Sequence, residues 1–177
     1  MTQMLTGAME ALHADGPDRQ PASRLQLYGR FAGSWRLEAD FSFHDGRREH
    51  AEGEALFDRV LQGRAIQDLF IIPARRLRTG PPQPWWRYGP AFRWYDPAVD
   101  AWHITFYDPP RSVEVRQLAR QSGREIVQAG EDGHGLLRRW RFTEITGASL
   151  LWPGEVSWDH GASWTLELRT AATRTGP

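Results

Sequence analysis

Short segments of alternating apolar and polar residues run through most of this 177-residue chain, separated by turn residues. The segment that begins near Trp35 is apolar at every second position as far as Phe43. Such alternation is typical of a strand with one buried side and one solvent-facing side. The turns His44-Asp45-Gly46 and Asp159-His160-Gly161 separate one segment from the next. The pattern therefore predicts strands joined by hairpins from residue 34 onward.

Ten segments fit this alternating pattern. They cover residues 34–43, 49–61, 64–72, 86–95, 101–107, 112–120, 124–129, 136–144, 150–158 and 163–171. Their hairpin-length connections favour an all-β fold, either an antiparallel sandwich or an up-and-down barrel, and the lack of any fixed repeat period argues against a propeller. Of these we expect a single antiparallel up-and-down β-barrel of about 8–10 strands. Such a barrel has room inside for a small ligand.

The N-terminal part of the chain has a different, weakly helical pattern. Its apolar residues recur at helical spacing, and they are Met4, Leu5, Met9, Leu12, Leu25, Tyr28 and Phe31. A chain of this length usually forms one domain. We therefore expect a short N-terminal helical extension over residues 1–31, a barrel over residues 32–172 and a C-terminal tail over residues 173–177.

Composition excludes several classes of function. The chain has no cysteine, so it forms no disulfide, thiolate metal site or cysteine nucleophile. Its basic residues are all arginine, which excludes a lysine Schiff base and the Walker lysine. The balance of 22 basic and 22 acidic side chains argues against a nucleic-acid or membrane-surface partner. Without a signal-peptide pattern or an apolar membrane span, we expect a cytoplasmic protein.

The loop over residues 73–84 differs from the hairpins around it. It contains four prolines and three arginines, and the pair Trp85-Trp86 follows it directly. Long loops in compact domains often serve as lids or binding loops. Two interpretations remain open: a lid over the mouth of the barrel, or a solvated insertion.

The start of the first predicted strand carries a family resemblance. Phe31-Ala32-Gly33-Ser34-Trp35 resembles the G-x-W opening of lipocalin-like (calycin) β-barrels. In that superfamily the tryptophan packs at the closed end of the barrel, and an arginine near the end of the last strand covers it. The resemblance implies these two roles for Trp35 and Arg169.

Three further motifs resemble a bacterial family of lipocalin-like domains of unknown function. They are Leu61-Gln62-Gly63-Arg64, Trp94-Tyr95-Asp96-Pro97 and Trp158-Asp159-His160-Gly161-Ala162-Ser163-Trp164. Together with the opening motif they span residues 31–171, so the resemblance covers most of the chain. It implies a barrel with a small-molecule cavity, and it identifies no catalytic residue.

The sequence predicts no cofactor and no metal site. A related heme-binding branch of such barrels uses a histidine near the C-terminus, but His160 falls in a predicted turn. The six histidines are scattered, and only His44 and His50, which flank one hairpin, are expected to come close together. Two histidines at a surface do not make a dedicated metal site.

Candidate catalytic residues are the polar side chains that the alternation places inside the barrel. They are Asp68, His103, Tyr107 and Glu144. In the segment 64–72 both phases are apolar enough to face inward, and in the segment 101–107 the choice is between an apolar phase and a polar one that contains His103 and Tyr107, so those two orientations stay open. A buried Asp68 would either pair with an arginine such as Arg138 or act as a general acid or base.

Candidate ligand-binding residues come from the aromatic content, which includes nine tryptophans. Buried indoles either fill a barrel or offer flat apolar walls to a planar ligand. The candidates are Trp86, Phe92, Trp94, Trp102, Phe106, Gln128, Arg138, Trp140 and Trp158. At the predicted rim, Tyr107 and Arg111 have donors for a ligand's carbonyl or carboxylate.

Three functions remain compatible with these patterns. The first is binding of a hydrophobic, aromatic or polycyclic small molecule in the barrel. The second is a cofactor-free isomerase or cyclase that acts on a natural-product intermediate by holding it in a reactive conformation. The third is a structural module that dimerises through the strand 150–158, which is apolar on both faces.

Overall fold

The computed structural model describes residues 7–18 and 22–176. Met4 and Leu5 of the predicted helical pattern, and Pro177 of the predicted tail, lie outside these residues. Within the described ranges the elements are α1 (Gly7–Leu12), α2 (Ala22–Gly29), β1 (Gly33–Ser42), β2 (Arg48–Val60), β3 (Ala65–Ile72), β4 (Arg87–Asp96), β5 (Ala101–Asp108), β6 (Val113–Ser122), β7 (Glu125–Asp132), β8 (Leu137–Phe142), β9 (Ser149–Ser157) and β10 (Thr165–Gly176). Two short 3₁₀ helices, Arg75–Leu77 and Pro109–Arg111, lie in hairpin connections.

The strands form one closed antiparallel barrel. Each strand pairs with its neighbours along the chain, and β10 pairs with β1, where Leu37 lies opposite Ala172. Closure leaves no strand edge unpaired, which removes a common site of aggregation. The predicted all-β, up-and-down barrel is confirmed, and the number of strands is ten.

Two strands, β7 and β10, run furthest beyond the ends that the alternation predicts. β7 continues through Gly130 to Asp132, where the sequence pattern ends the strand at residue 129. A Cβ at Gly130 would lie 1.9 Å from the backbone oxygen of Arg116 on β6, so this glycine permits close strand contact and does not mark a turn. β10 continues to Gly176, so residues 173–176, expected to form a tail, belong to the barrel wall.

The inward phases of β3 and β5, which the sequence left open, are decided in the structure. On β3 the inward side chains include Ile66, Asp68 and Phe70, all of which are buried. On β5, Trp102 and Ile104 are buried inside the barrel. The alternative phases face outward, because each strand directs successive side chains to opposite sides.

The N-terminal helix α2 closes one end of the barrel. Tyr28 is fully buried, with its ring 5.0 Å from Trp102 and 5.6 Å from Phe142 in edge-to-face geometry. Phe31 follows, and its backbone oxygen accepts a hydrogen bond of 2.8 Å from the indole of Trp35. α2 and Phe31 therefore contribute to the barrel core at its closed end.

Trp35 lies at the closed end, as the family resemblance implies, but Arg174 covers it and Arg169 does not. The Arg174 guanidinium lies 4.3 Å from the Trp35 ring and donates to the backbone oxygens of Ala32 and Arg30 at 2.6 and 2.7 Å. Arg169 lies on the outer face, half exposed, 4.0 Å from Asp40. The expectation for Arg169 was wrong because β10 extends to Gly176 and pairs Trp35 with Arg174.

We expect Arg174→Met to lower the free energy of unfolding by about 1–3 kcal/mol. The change removes three hydrogen bonds to backbone oxygens and the cation–π contact with Trp35. The matched control, Arg169→Met, should change it by less than about 0.5 kcal/mol, as is usual for an exposed side chain. Urea denaturation followed by circular dichroism measures both, and equal losses would contradict the role given to Arg174.

Candidate functional site

The barrel encloses a cavity of about 500 Å³ at the end opposite α2. Its mouth is formed by the hairpins that join β1 to β2, β3 to β4, β5 to β6 and β7 to β8. Most of its walls are apolar and come from nearly every strand. The apolar lining residues are Phe41, Phe43, Phe70, Trp85, Ala91, Ile104, Phe106, Val113, Val115, Trp140, Trp152 and Leu168.

Three aromatic rings form one wall of this cavity. Trp152 contacts Phe70 at 5.0 Å and Trp140 at 5.8 Å between ring centroids, and Phe70 lies 6.1 Å from Trp140. All three pairs are close to edge-to-face, a favourable arrangement of aromatic rings. Gly154 lies behind Trp140, where a Cβ would come within 2.7 Å of the indole. The backbone therefore allows the Trp140 indole to lie flat against β9.

A buried ion pair lies in the cavity wall. Arg93 on β4 donates to Asp68 on β3 with a distance of 2.5 Å, and both residues are 1% exposed. Burial raises the pKa of Asp68, although the Arg93 charge acts in the opposite direction. The Oδ2 atom of Asp68 has no hydrogen-bond partner among the described residues. A carboxylate oxygen is thus left for a donor that the described residues do not provide.

A chain of neutral hydrogen bonds crosses the barrel beside this pair. The Tyr28 hydroxyl donates to Gln128 at 3.0 Å, and the Gln128 amide donates to Gln117 at 3.2 Å. The Gln117 amide in turn donates to the backbone oxygen of Arg138 at 3.0 Å. Burial raises the pKa of Tyr28, so its hydroxyl keeps its proton and serves as a fixed donor. These contacts link the closed end to the cavity through satisfied polar groups.

Charged side chains at the mouth form a second network. Arg138 donates to Asp132 at 2.9 Å and also pairs with Glu167. Although burial raises the pKa of Asp132, hydrogen bonds from Arg138 and from the backbone N–H groups of His134 and Leu136 lower it overall. These partners hold Arg138 in one orientation at the rim.

Arg87 lies at the start of β4, where the loop over residues 73–86 meets the mouth. Its guanidinium donates to the backbone oxygens of Trp85 and Trp86 at 2.6 and 3.2 Å. The Phe41 ring lies 5.2 Å from its central carbon and 5.5 Å from the Trp85 ring. The loop therefore contributes Trp85 to the cavity wall, and its role as a lid stays a prediction.

Five of the predicted site residues line this cavity. They are Asp68, Phe106, Gln128, Arg138 and Trp140. Asp68 is buried as expected for its inward phase, but it pairs with Arg93 and not with Arg138, which is held by Asp132 and Glu167. The roles predicted for these residues in binding or catalysis stay predictions.

Three predicted catalytic residues lie away from the cavity. His103 is on the outer face of β5, stacked at 4.4 Å on Trp94 and 3.2 Å from Asp96. Tyr107 is exposed on the same outer face. Glu144 follows the end of β8 with a φ of 49° and is exposed, so its expected inward position is wrong. The four residues therefore do not converge on one point.

The remaining predicted ligand contacts also lie elsewhere. Phe92 and Trp94 alternate with inward-facing residues of β4 and lie on its outer face, and Trp158 is 57% exposed beside His44. Trp102 is inside the barrel but packs on Tyr28 at the closed end. Trp86 stacks under Arg78 within the loop, 4.6 Å from its guanidinium. None of these five is among the residues that line the cavity.

Several lining residues were missed because their segments were read by aromatic content alone. Arg93 occupies an inward position on β4 between Ala91 and Tyr95, and the sequence pattern offered Trp94 as the more apolar neighbour. Strict alternation from Ala91 would have found it. Arg87 and Trp152 carry no local signal, since their position at the cavity depends on how the strands pair.

No site for a metal ion is evident among the described residues, since no three histidine, aspartate or glutamate side chains are grouped as ligands. Within the same part of the chain, no helix is long and apolar enough to cross a membrane.

No protein-family model matches this sequence, and no curated protein matches it. Solved structures do resemble the fold. Rv2717c from M. tuberculosis aligns with a TM-score of 0.58 and 15% identity, over 87% of this chain and 98% of that one. The S-type phycobiliprotein lyase CPES from Guillardia theta aligns with a TM-score of 0.58 and 11% identity, over 85% and 91%. These neighbours and the closed ten-stranded barrel fit a lipocalin-like barrel fold.

Proposed function

We propose that this protein binds an aromatic or polycyclic hydrophobic small molecule in the barrel cavity. The observation that carries the proposal is a cavity of about 500 Å³ with mostly apolar walls. Ligand sites for small organic molecules usually have volumes of about 300–1,000 Å³ and a few fixed polar groups among apolar walls. The volume of this cavity lies in that range, and half of its lining residues are polar or charged, Asp68 and Gln128 among them.

The flat rings of Phe70, Trp140 and Trp152 favour a planar ligand over a flexible chain, because ring faces gain most contact area from another ring. A barrel of this shape also occurs in a structural neighbour, an S-type phycobiliprotein lyase. Membership of the bacterial lipocalin-like family of unknown function stays a prediction on the motifs described above.

Titration with the neutral fluorescent probe pyrenebutanol tests the proposal. We expect saturable binding that quenches tryptophan emission, since Trp140 and Trp152 line the cavity. Val115→Trp, which adds an indole inside the cavity, should weaken binding by about tenfold or more, because one indole displaces most of the contact area of a planar ligand. Its matched control is Leu118→Trp, on the same strand but directed to solvent.

The two variants separate cavity binding from surface binding. If Leu118→Trp weakens binding as much as Val115→Trp does, the probe binds outside the barrel. If wild-type protein shows no saturable quenching with the probe, the proposed function is contradicted.

A second candidate, a cofactor-free isomerase or cyclase, is favoured by one observation. Asp68 lies in the cavity wall with a raised pKa and a free Oδ2 atom, which are properties of a general acid or base. The test is hydrogen–deuterium exchange at the acidic CH₂ group of β-tetralone, followed by NMR. Exchange that is no faster with wild-type protein than with Asp68→Asn would contradict this candidate.

A further inference from the structure

Arg87 differs from the other arginines that line the cavity. Arg93, Arg111 and Arg138 have carboxylate partners in Asp68, Asp108 and Asp132, and Arg47 lies 3.8 Å from Asp45. Arg87 has no carboxylate within ion-pair distance among residues 7–18 and 22–176. Within this part of the chain it is the one cavity cation without a direct anionic partner.

The position of Arg87 makes the lack of a carboxylate partner energetically unfavourable. Burial, with the nearby charges of Arg111 and Arg138 adding to it, lowers the pKa of Arg87 to about 9. The side chain is still charged at neutral pH and only partly buried, so its charge is incompletely hydrated at the mouth. The longer-range charges of Asp108 and Glu167 act the other way, but both of these carboxylates are paired with other arginines.

The geometry of the guanidinium leaves one edge free. Its Nη1 atom donates to the two backbone oxygens of Trp85 and Trp86, which fixes the plane of the group at the mouth. No described residue accepts a hydrogen bond from its Nε or Nη2 atom, and neither is sealed from solvent. Parallel donors of this kind match the two oxygens of a carboxylate.

We propose that the ligand of this barrel is an aromatic carboxylic acid whose carboxylate is bound by Arg87 at the mouth. The inference rests on the proposed function and adds the ligand's charge and orientation. With the carboxylate at Arg87, the aromatic body extends inward toward Trp140 and Trp152. The Phe41 ring beside Arg87 excludes water from one side of the ion pair, which strengthens the pairing.

A pair of matched probes tests this inference. Pyrenebutyric acid and pyrenebutanol share one aromatic body and differ in the carboxylate. We expect wild-type protein to bind the acid about tenfold more tightly than the alcohol, as fits a charge-assisted, bidentate contact. In Arg87→Met the acid should lose about tenfold more affinity than the alcohol loses. Arg116→Met, which removes an exposed arginine on the outer face of β6, is the control for net charge and should keep the preference.

Each outcome has one meaning. Equal affinity of wild-type protein for the two probes overturns the inference and leaves the proposed function standing, whereas absence of binding by either probe overturns both. A preference for the acid that survives in Arg87→Met also overturns the inference. If circular dichroism shows that Arg87→Met is unfolded, Arg87→Lys decides: it keeps the charge but not the planar fork, and an undiminished preference for the acid overturns bidentate capture.

Discussion

Replacing Asp68 with alanine will lower the free energy of unfolding by about 3–5 kcal/mol, the usual cost of leaving one member of a buried ion pair alone. Arg93 would remain inside the barrel without its only carboxylate partner among the described residues. The Arg93 guanidinium contacts the faces of Tyr28 and Phe57, at 5.2 and 5.6 Å, and these contacts offset only part of the loss. Urea denaturation of Asp68→Ala beside wild-type protein measures the effect.

The double variant Asp68→Leu/Arg93→Met is the matched control. Removing both charges and keeping similar volume should restore most of the stability, because apolar replacement of a buried pair is often neutral or favourable. The pair's contribution is then the coupling energy of the double-mutant cycle. A double variant as unstable as Asp68→Ala alone would show that packing around Asp68, and not the unpaired charge, causes the loss.

The stability of wild-type protein relative to this double variant should also depend on pH. Burial raises the pKa of Asp68 in the folded state above its value in the unfolded chain. The stabilisation that comes from proton binding by folded Asp68 is therefore fully present below the ordinary carboxyl pKa and is lost as the pH rises through the raised value. Denaturation midpoints should shift in favour of the wild type on acidification.

Trp152→Ala should destabilise the protein by about 3–5 kcal/mol, the range for truncating a large buried aromatic side chain. Its ring lies 4.5 Å from Phe142, 5.0 Å from Phe70, 5.8 Å from Trp140 and 6.0 Å from Phe57. Removal leaves a void between the cavity wall and the closed end that these rings cannot fill completely. Thermal and urea unfolding are the measurements.

Trp158→Ala is the control for this prediction, since Trp158 is 57% exposed and follows the same strand. We expect it to change the free energy of unfolding by less than about 0.5 kcal/mol. Similar losses in the two variants would contradict the central position given to Trp152. Trp152→Phe, which keeps an aromatic ring, should fall between Trp152→Ala and the wild type.

Particular residues show how much of the candidate site the sequence alone predicted. Asp68, Phe106, Gln128, Arg138 and Trp140 were found because each continues an apolar phase into the lumen. Trp94 was misplaced because the outer face of β4 is more aromatic than its inner face, and His103 because the polar phase of β5 was taken as a possible reactive wall. Aromatic content alone therefore does not identify the inner face of a strand.

The sequence alone did not predict the partners of the charged residues, and the reason is a different one. Asp68 and Arg93 meet because β3 and β4 pair with Asp68 opposite Ala91, and a shift by one residue would separate them. The register between β1 and β10 likewise places Trp35 next to Arg174. Register is decided by long-range strand pairing, and no local sequence pattern specifies it.

The alternation of apolar and polar residues, with its turn residues, was by itself enough to predict antiparallel strands with one buried face and one solvent-facing face, in a sandwich or a barrel, and the family motifs favoured the barrel. That pattern is local, because the two-residue period follows from backbone geometry. Tertiary structure alone decided that α2 closes one end, that about 500 Å³ stays open at the other and that Arg87 lies there with no carboxylate partner among the described residues. These features depend on which side chains meet across the barrel, and closure of ten strands brings together residues that are distant in the chain.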